Sequence, residues 1–214
     1  MLCIFEGVIN NPKVKTNLIP NIEHGALTKV NALVLHRTSA GTADSTLHAW
    51  KSKKSGAHFL IDKTGAIHQT ASLKKQCWHI GLLRSRCRLE SSCSTEDAEF
   101  IKKTLHGSGS WGSKFKKVYR NEKKKNYPDR YPLNSDSIGI ELVGAYLGGS
   151  SDKGPFEALK EPQGKSLLWL ITELLSHYKL SFEKDIYAHG SIARKKANEG
   201  VGAFEWLKES YNEN

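Results

Sequence analysis

Apolar and polar positions along the chain sort into short runs and one long stripe. Ala32–Leu35 is an apolar run that passes directly into His36 and then turns polar, which predicts a strand over 32–36 with an imidazole at its end. The stretch STLHAWKSKK, 45–54, carries Leu47 and Trp50 at helical spacing, with Asp44 or Ser45 as N-cap. GAHFLIDKTGAIHQT, 56–70, reads as two strands around the turn DKTG, a hairpin. SIGIELVGAYLGG, 137–149, is rich in Ile, Leu and Val and predicts a buried central strand. GKSLLWLITELLSHYKL, 164–180, is the strongest helix, apolar on one stripe with Glu173, His177 and Lys179 among its polar positions. KDIYAHG, 184–190, is another short strand ending on a histidine. Alternating strands and helices predict an α/β fold, a single domain over 1–214 with a central mixed β-sheet flanked by helices.

The segment 82–133 breaks this rhythm. It holds a helix candidate, STEDAEFIKKTLHG, capped by Ser94 or Thr95, and then KFKKVYRNEKKKNYPDRYP, where six lysines and two arginines alternate with aromatics over nineteen residues. The expectation is a long lysine-rich insertion with an exposed basic arm; a solvated face of an ordinary element is the alternative.

Length and composition add bounds. With 214 residues, 38% hydrophobic and 25% charged, the chain can bury a substantial core and has the composition of a soluble globular protein. No run approaches the roughly 18 apolar residues of a membrane span, so no transmembrane segment is expected. The opening MLCIFEGVINNPKVK lacks a basic start, a long apolar core and a small-residue cleavage site, so no signal peptide is expected either. A formal charge of +10 calls for an anionic partner: nucleic acid, anionic lipid or anionic cell-wall polymer. No nucleic-acid motif accompanies the charge, and nucleic acid is not the expected partner. Four cysteines are too few for a disulfide scaffold, although Cys87 and Cys93 are close enough to clip a loop; free thiols are the alternative.

The two histidines at strand ends, His36 and His189, are the candidate chemistry, because loops beyond strand ends are where α/β sheets usually carry it. Each is either a hydrogen-bonded structural residue or a ligand; together they favour a metal, since imidazole is the commonest nitrogen ligand for zinc. A catalytic zinc takes three protein ligands, and GSIARKKANEG after His189 offers one carboxylate, Glu199. This is no HExxH motif, and the separation of the histidines carries no local geometry.

The ordered blocks LVLHRT, GAHFLIDKTGAIHQT, CWHIG, NSDSIGIELVG and YAHGSIARKKANEG…FEW resemble the zinc-dependent N-acetylmuramoyl-L-alanine amidases, which share a fold with the peptidoglycan recognition proteins. The resemblance covers about 30–81 and 134–207. It implies one zinc ion, with His36 and His189 as ligands and Glu199 as the third; KKANEG departs from the family's Lys-x-Asp-Pro-Gly form, so a shift of one residue would put Asn198 there instead. It implies Glu141 as general base and Lys195, with Lys196 as rival, as the cation near the scissile carbonyl. His58 and the pair Trp78–His79 match blocks that line or support the substrate cleft.

The implied reaction is hydrolysis of the amide between N-acetylmuramic acid and L-alanine in bacterial peptidoglycan, with peptidoglycan or muropeptides as partners. A basic surface would hold the enzyme near stem-peptide carboxylates; alternatively the insertion docks a secretion carrier or an inhibitor protein. A recognition module of the same fold that binds muropeptides without cleaving them is the rival reading. Action is expected on the cell wall, in the periplasm of the producing or a target cell, with cytoplasmic recycling, a phage-type lysis system and a secreted antibacterial effector as the three routes.

Overall fold

The computed structural model describes residues 2–212. The chain opens with β1 (Ile4–Phe5), β2 (Val8–Ile9), β3 (Val14–Thr16) and β4 (Glu23–Ala26). Then come β5 (Ala32–Ser39), helix α1 (Ala43–Trp50), β6 (Phe59–Ile61), β7 (Ile67–Gln69) and β8 (Lys75–Cys77). Helices α2 (Arg86–Leu89), α3 (Thr95–His106) and α4 (Trp111–Glu122) precede β9 (Ser137–Ala145) and the long helix α5 (Glu161–Tyr178). The chain closes with α6 (Phe182–Asp185), β10 (Ile186–Ala188), α7 (His189–Ile192) and α8 (Val201–Asn212).

Six strands form one mixed sheet in the order β10-β5-β9-β6-β7-β3, parallel at every pairing except the β6–β7 hairpin. Alternation along β5 and β9 decides what the sheet presents. Leu33, Leu35, Ile138, Ile140 and Leu142 turn to one side and pack with Leu167, Leu170, Ile171 and Leu174 of α5, a stripe at the helical period. Val34 turns to the other side, with Ile80, Leu83 and Ile192. His36 follows Val34 on that face, and the parallel register sets Glu141 directly beside it, with Leu60 next in line.

The central strand and the hairpin around DKTG form as the pattern predicts. Other boundaries differ. β5 runs three residues beyond His36, because Arg37 and Ser39 continue to pair with β9 across a bulge. The N-cap of α1 is Thr42, whose extended backbone lets its hydroxyl accept from the Ser45 amide; Asp44 lies in the first turn instead. Helix α5 starts at Glu161, with Pro162 in its first turn, and stops before Lys179, which takes a left-handed φ of 56°.

The basic segment is no free arm. Ser94 caps α3 by accepting from the Asp97 amide, and Ile101 and Leu105 pack on Val118 of α4, with Cys87 and Cys93 against them. Cys87 and Cys93 are joined in a disulfide. Lys125 bridges Asp97 and Glu122 at 2.9 Å each, and Arg130 holds Asp136 at 2.7 Å. Apolar residues one helical turn apart are enough to fold a segment whose composition reads as solvated. Among the described residues no helix is long and apolar enough to cross a membrane.

Candidate active site

His36, within β5, and His189, immediately after β10, meet Glu199. Their ligand atoms all lie within 4.8 Å of one another. Nδ1 of His189 stands 2.7 Å from Glu199 Oε1 and Nδ1 of His36 3.3 Å from the same oxygen. Both rings are buried and Glu199 is largely so. Glu199 reaches them because Gly200 bends the chain at a φ of 81°, where a Cβ would strike the Leu35 carbonyl, and because the Gly190 amide holds the Glu199 carbonyl at 2.8 Å. Asn198 points away, donating to the carbonyls of Lys153 and Gly154. Asn198 therefore stands outside the cluster.

The far side of each ring settles its tautomer. His189 Nε2 lies 2.7 Å from the Ile80 carbonyl, which only accepts, so Nε2 carries the proton and Nδ1 presents a lone pair. For His36 the assignment runs through three residues. The Ser137 hydroxyl donates to the Leu133 carbonyl at 2.6 Å and accepts from His79 Nε2 at 3.3 Å. His79 Nδ1 is therefore an acceptor, and it takes the proton of His36 Nε2 at 3.0 Å. His36 Nδ1 is left bare, facing Glu199. Burial, then the neighbouring His189, lowers the His36 pKa to about 4, so the ring is neutral near pH 7. Two proton-free nitrogens and a carboxylate oxygen thus converge without a donor between them. That donor set suits a divalent zinc-like cation, each imidazole fixed from behind as metal-binding histidines generally are.

His79 is accordingly not substrate-facing: it is buried against β9 and positions His36. A Cβ at Gly139 would come within 2.8 Å of its ring, which is why glycine stands there. His79→Phe keeps the ring volume and loses the acceptor. Metal affinity should fall about 10- to 100-fold, read by competition against a chelating dye.

His58 is also not a substrate contact. It is fully buried, accepts from the Gly139 amide at Nδ1 (3.1 Å) and donates to the Lys75 carbonyl from Nε2 (2.9 Å), so both nitrogens serve the main chain. Burial lowers its pKa from 6.5 to about 4. Its stabilising contribution is complete above the unfolded value and is lost as pH falls through that window. In metal-free protein, urea unfolding should show an extra slope of about 1.4 kcal/mol per pH unit there, absent in His58→Gln. Trp78, by contrast, is 48% exposed and stacks on His24 with ring centres 3.7 Å apart.

Glu141 is half-buried beside His36, with its Oε2 buried and without a hydrogen-bond partner. Burial, then the charge of Glu199, pushes its pKa up to about 8, against the opposing charges of Lys195 and Arg37. Among the described residues no direct salt bridge neutralises it. Lys195 is exposed at the rim, close enough for its charge to act on both Glu141 and His36. Lys196 turns elsewhere, its Nζ 3.0 Å from the centre of the Tyr146 ring. The link from His79 through Ser137 was not foreseen; a serine opening a buried strand is its only trace in the sequence.

Residues 26–201 match the family model described as N-acetylmuramoyl-L-alanine amidase. The chain belongs to this family. Its activity is that of the family, hydrolysis of a peptidoglycan amide. No curated protein matches the sequence significantly. Among solved structures, a selenomethionine derivative of AmpD is 18% identical with a TM-score of 0.51, covering 96% of this chain and 99% of that one. AmpDh3 from Pseudomonas aeruginosa is 19% identical with a TM-score of 0.55, over 85% of this chain and 59% of that one. The amidase AmiD from E. coli, in complex with the substrate anhydro-N-acetylmuramic acid-L-Ala-D-γ-Glu-L-Lys, is 21% identical with a TM-score of 0.50, over 78% of this chain and 51% of its own. At these identities the likeness is one of fold.

Proposed function

We propose that this amidase cleaves the bond between N-acetylmuramic acid and L-alanine with one zinc ion held by His36, His189 and Glu199. The observation that carries the reading is the convergence of two lone-pair nitrogens and a carboxylate on one point. Bound there, zinc supplies Lewis acidity, polarising the scissile carbonyl and bringing the pKa of water towards ~7.

The protein's own groups do the rest. Glu141, with a pKa near the operating pH, takes the proton of the attacking water and returns one to the departing alanine nitrogen. That transfer answers the poor leaving ability of an amine. Lys195 donates to the oxygen on which charge builds as the carbonyl carbon becomes tetrahedral. Lys195→Ala should cost about 10² to 10³ in kcat, whereas Lys196→Ala, which loses only a ring contact, should stay within a few fold. Action in an oxidising compartment of the cell envelope is supported by the Cys87–Cys93 disulfide.

The test is to digest intact peptidoglycan and identify the soluble products by mass spectrometry. Stem peptides beginning with a free L-alanine amine are expected. Fragments cut within the glycan, or within the peptide alone, would sink the assignment of the bond.

A further inference from the structure

Helices α3 and α4 form an antiparallel hairpin, joined by the short turn 107–110. Two contacts fix which ends meet. Lys114 Nζ donates to the Leu105 carbonyl at 3.1 Å near the turn, and Asn121 donates to Asp97 at 3.1 Å at the far end. Charge is sorted along this hairpin. From 100 to 121 the sequence has no Asp or Glu, yet it carries Lys102, Lys103, Lys114, Lys116, Lys117 and Arg120. The acids of the two helices, Glu96, Asp97, Glu99 and Glu122, fall towards the other end, where Asp97 and Glu122 hold Lys125 at 2.9 Å each. Among the described residues none of the six cations on the turn side joins a salt bridge. Over 82–133, thirteen Lys and Arg stand against six Asp and Glu, so this segment holds seven of the chain's ten net positive charges.

The turn end is a projection. Residues 106–111 are all exposed, and a Cβ added at Gly109 would meet nothing within 4 Å. Trp111 stands there 61% exposed. Its ring neighbours belong to its own helix: Phe115, with ring centres 6.2 Å apart, and Lys114 Nζ, 5.2 Å from the ring centre. Unpaired cations around an uncovered indole call for a partner that is anionic and has apolar depth. Protein interfaces favour arginine and are depleted in lysine, whereas five of these six cations are lysine. Single-stranded nucleic acid is held in a groove that offers successive bases aromatic platforms; this is a convex tip with one indole at its crest. An anionic bilayer fits both features. Tryptophan settles at the level of the headgroups, and lysines near the surface add their attraction one by one.

We propose that the tip of the α3–α4 hairpin docks on anionic phospholipid, with Trp111 in the headgroup layer and the surrounding lysines over the phosphates. Arg194, next to Lys195 at the active-site rim, lies over the Phe115 ring at 5.1 Å, so the docking tip is braced on the strip that carries the rim. The test is sedimentation of the purified protein with vesicles of phosphatidylcholine alone, or of phosphatidylcholine and phosphatidylglycerol in equal parts. Wild type should partition at least about tenfold more strongly onto the mixed vesicles, and the preference should fade as salt shortens the Debye length from about 10 to about 3 Å. Lys102→Gln/Lys116→Gln/Lys117→Gln should weaken this partitioning about 10²-fold, roughly fivefold per lysine. Trp111→Ser, with every lysine in place, should weaken it about tenfold. All four positions are exposed, so the variants should melt with wild type; if the triple variant does not fold, Lys117→Gln alone should still weaken partitioning about fivefold. Equal partitioning of wild type onto the two vesicles, or variants that partition as wild type does, would overturn the proposal. Tighter binding to oligothymidylate, polyphosphate or polyglutamate at equal charge would assign the tip to another polyanion and overturn it too. The proposal is independent of the amidase reading: failure to bind vesicles leaves that reading standing, and failure to release stem peptides leaves vesicle binding standing.

Discussion

Glu141→Gln is expected to lower the turnover of peptidoglycan hydrolysis by about 10² to 10⁴, the usual contribution of a positioned acid–base group. The substitution keeps the side chain's shape and removes a carboxyl whose Oε2 is buried without a partner and whose pKa is pushed up to about 8. Because burial raises this pKa, folding must either protonate the carboxyl or bury its charge, a cost the neutral amide avoids, so the variant should fold at least as stably as wild type. KM and zinc content should be unchanged, because Glu141 is not one of the three converging ligands. The informative result is this separation. Loss of turnover with retained zinc, retained substrate binding and an equal or higher melting temperature marks a group that acts only in the reaction. A variant that loses zinc or unfolds would make Glu141 structural.

Removal of Glu199 should be more damaging still. Structural zinc sites are worth about 10–16 kcal/mol in apparent binding energy, so losing one of three protein ligands forfeits on the order of 3–5 kcal/mol, about 10² to 10³ or more in affinity. Glu199→Ala also discards the negative charge that, beside two bare imidazole nitrogens, favours a cation at this point. At micromolar zinc its metal content, read by elemental analysis after gel filtration, should fall far below one ion per chain, and hydrolysis should fall with it. Asn198→Ala serves as the control, since its amide is spent on Lys153 and Gly154. A normal zinc content in Glu199→Ala would contradict the ligand assignment.

Much of this arrangement was legible because it follows from periodicity. The apolar stripe of 164–180 became α5, and LVLH and SIGIEL became neighbouring strands on which a period of two places His36 and Glu141 on one face. Their equal register could not be read, since it depends on how far two distant strands slide past each other. The choice of Glu199 over Asn198 required Gly200, whose left-handed backbone sets the direction of the preceding side chain. The pair Lys195 and Lys196 differ by one position and point to opposite neighbours, which spacing alone does not reveal. The roles of His58 and His79 lay hidden because their partners are main-chain groups, Ser137 and the distant His36, which only the fold brings together. The basic segment misled for a different reason. Lys116, Lys117, Lys123 and Lys124 face water, while the few apolar residues that fold it, Ile101, Leu105 and Val118, are spread over two helices.

The most direct test of the account is a chelation and reconstitution series on one sample of purified protein with intact peptidoglycan. Cleavage should disappear on chelation, return with one equivalent of zinc per chain, and fail to return in Glu199→Ala at the same zinc concentration. Hydrolysis that persists after complete removal of metal, or that zinc restores equally well without Glu199, would contradict it.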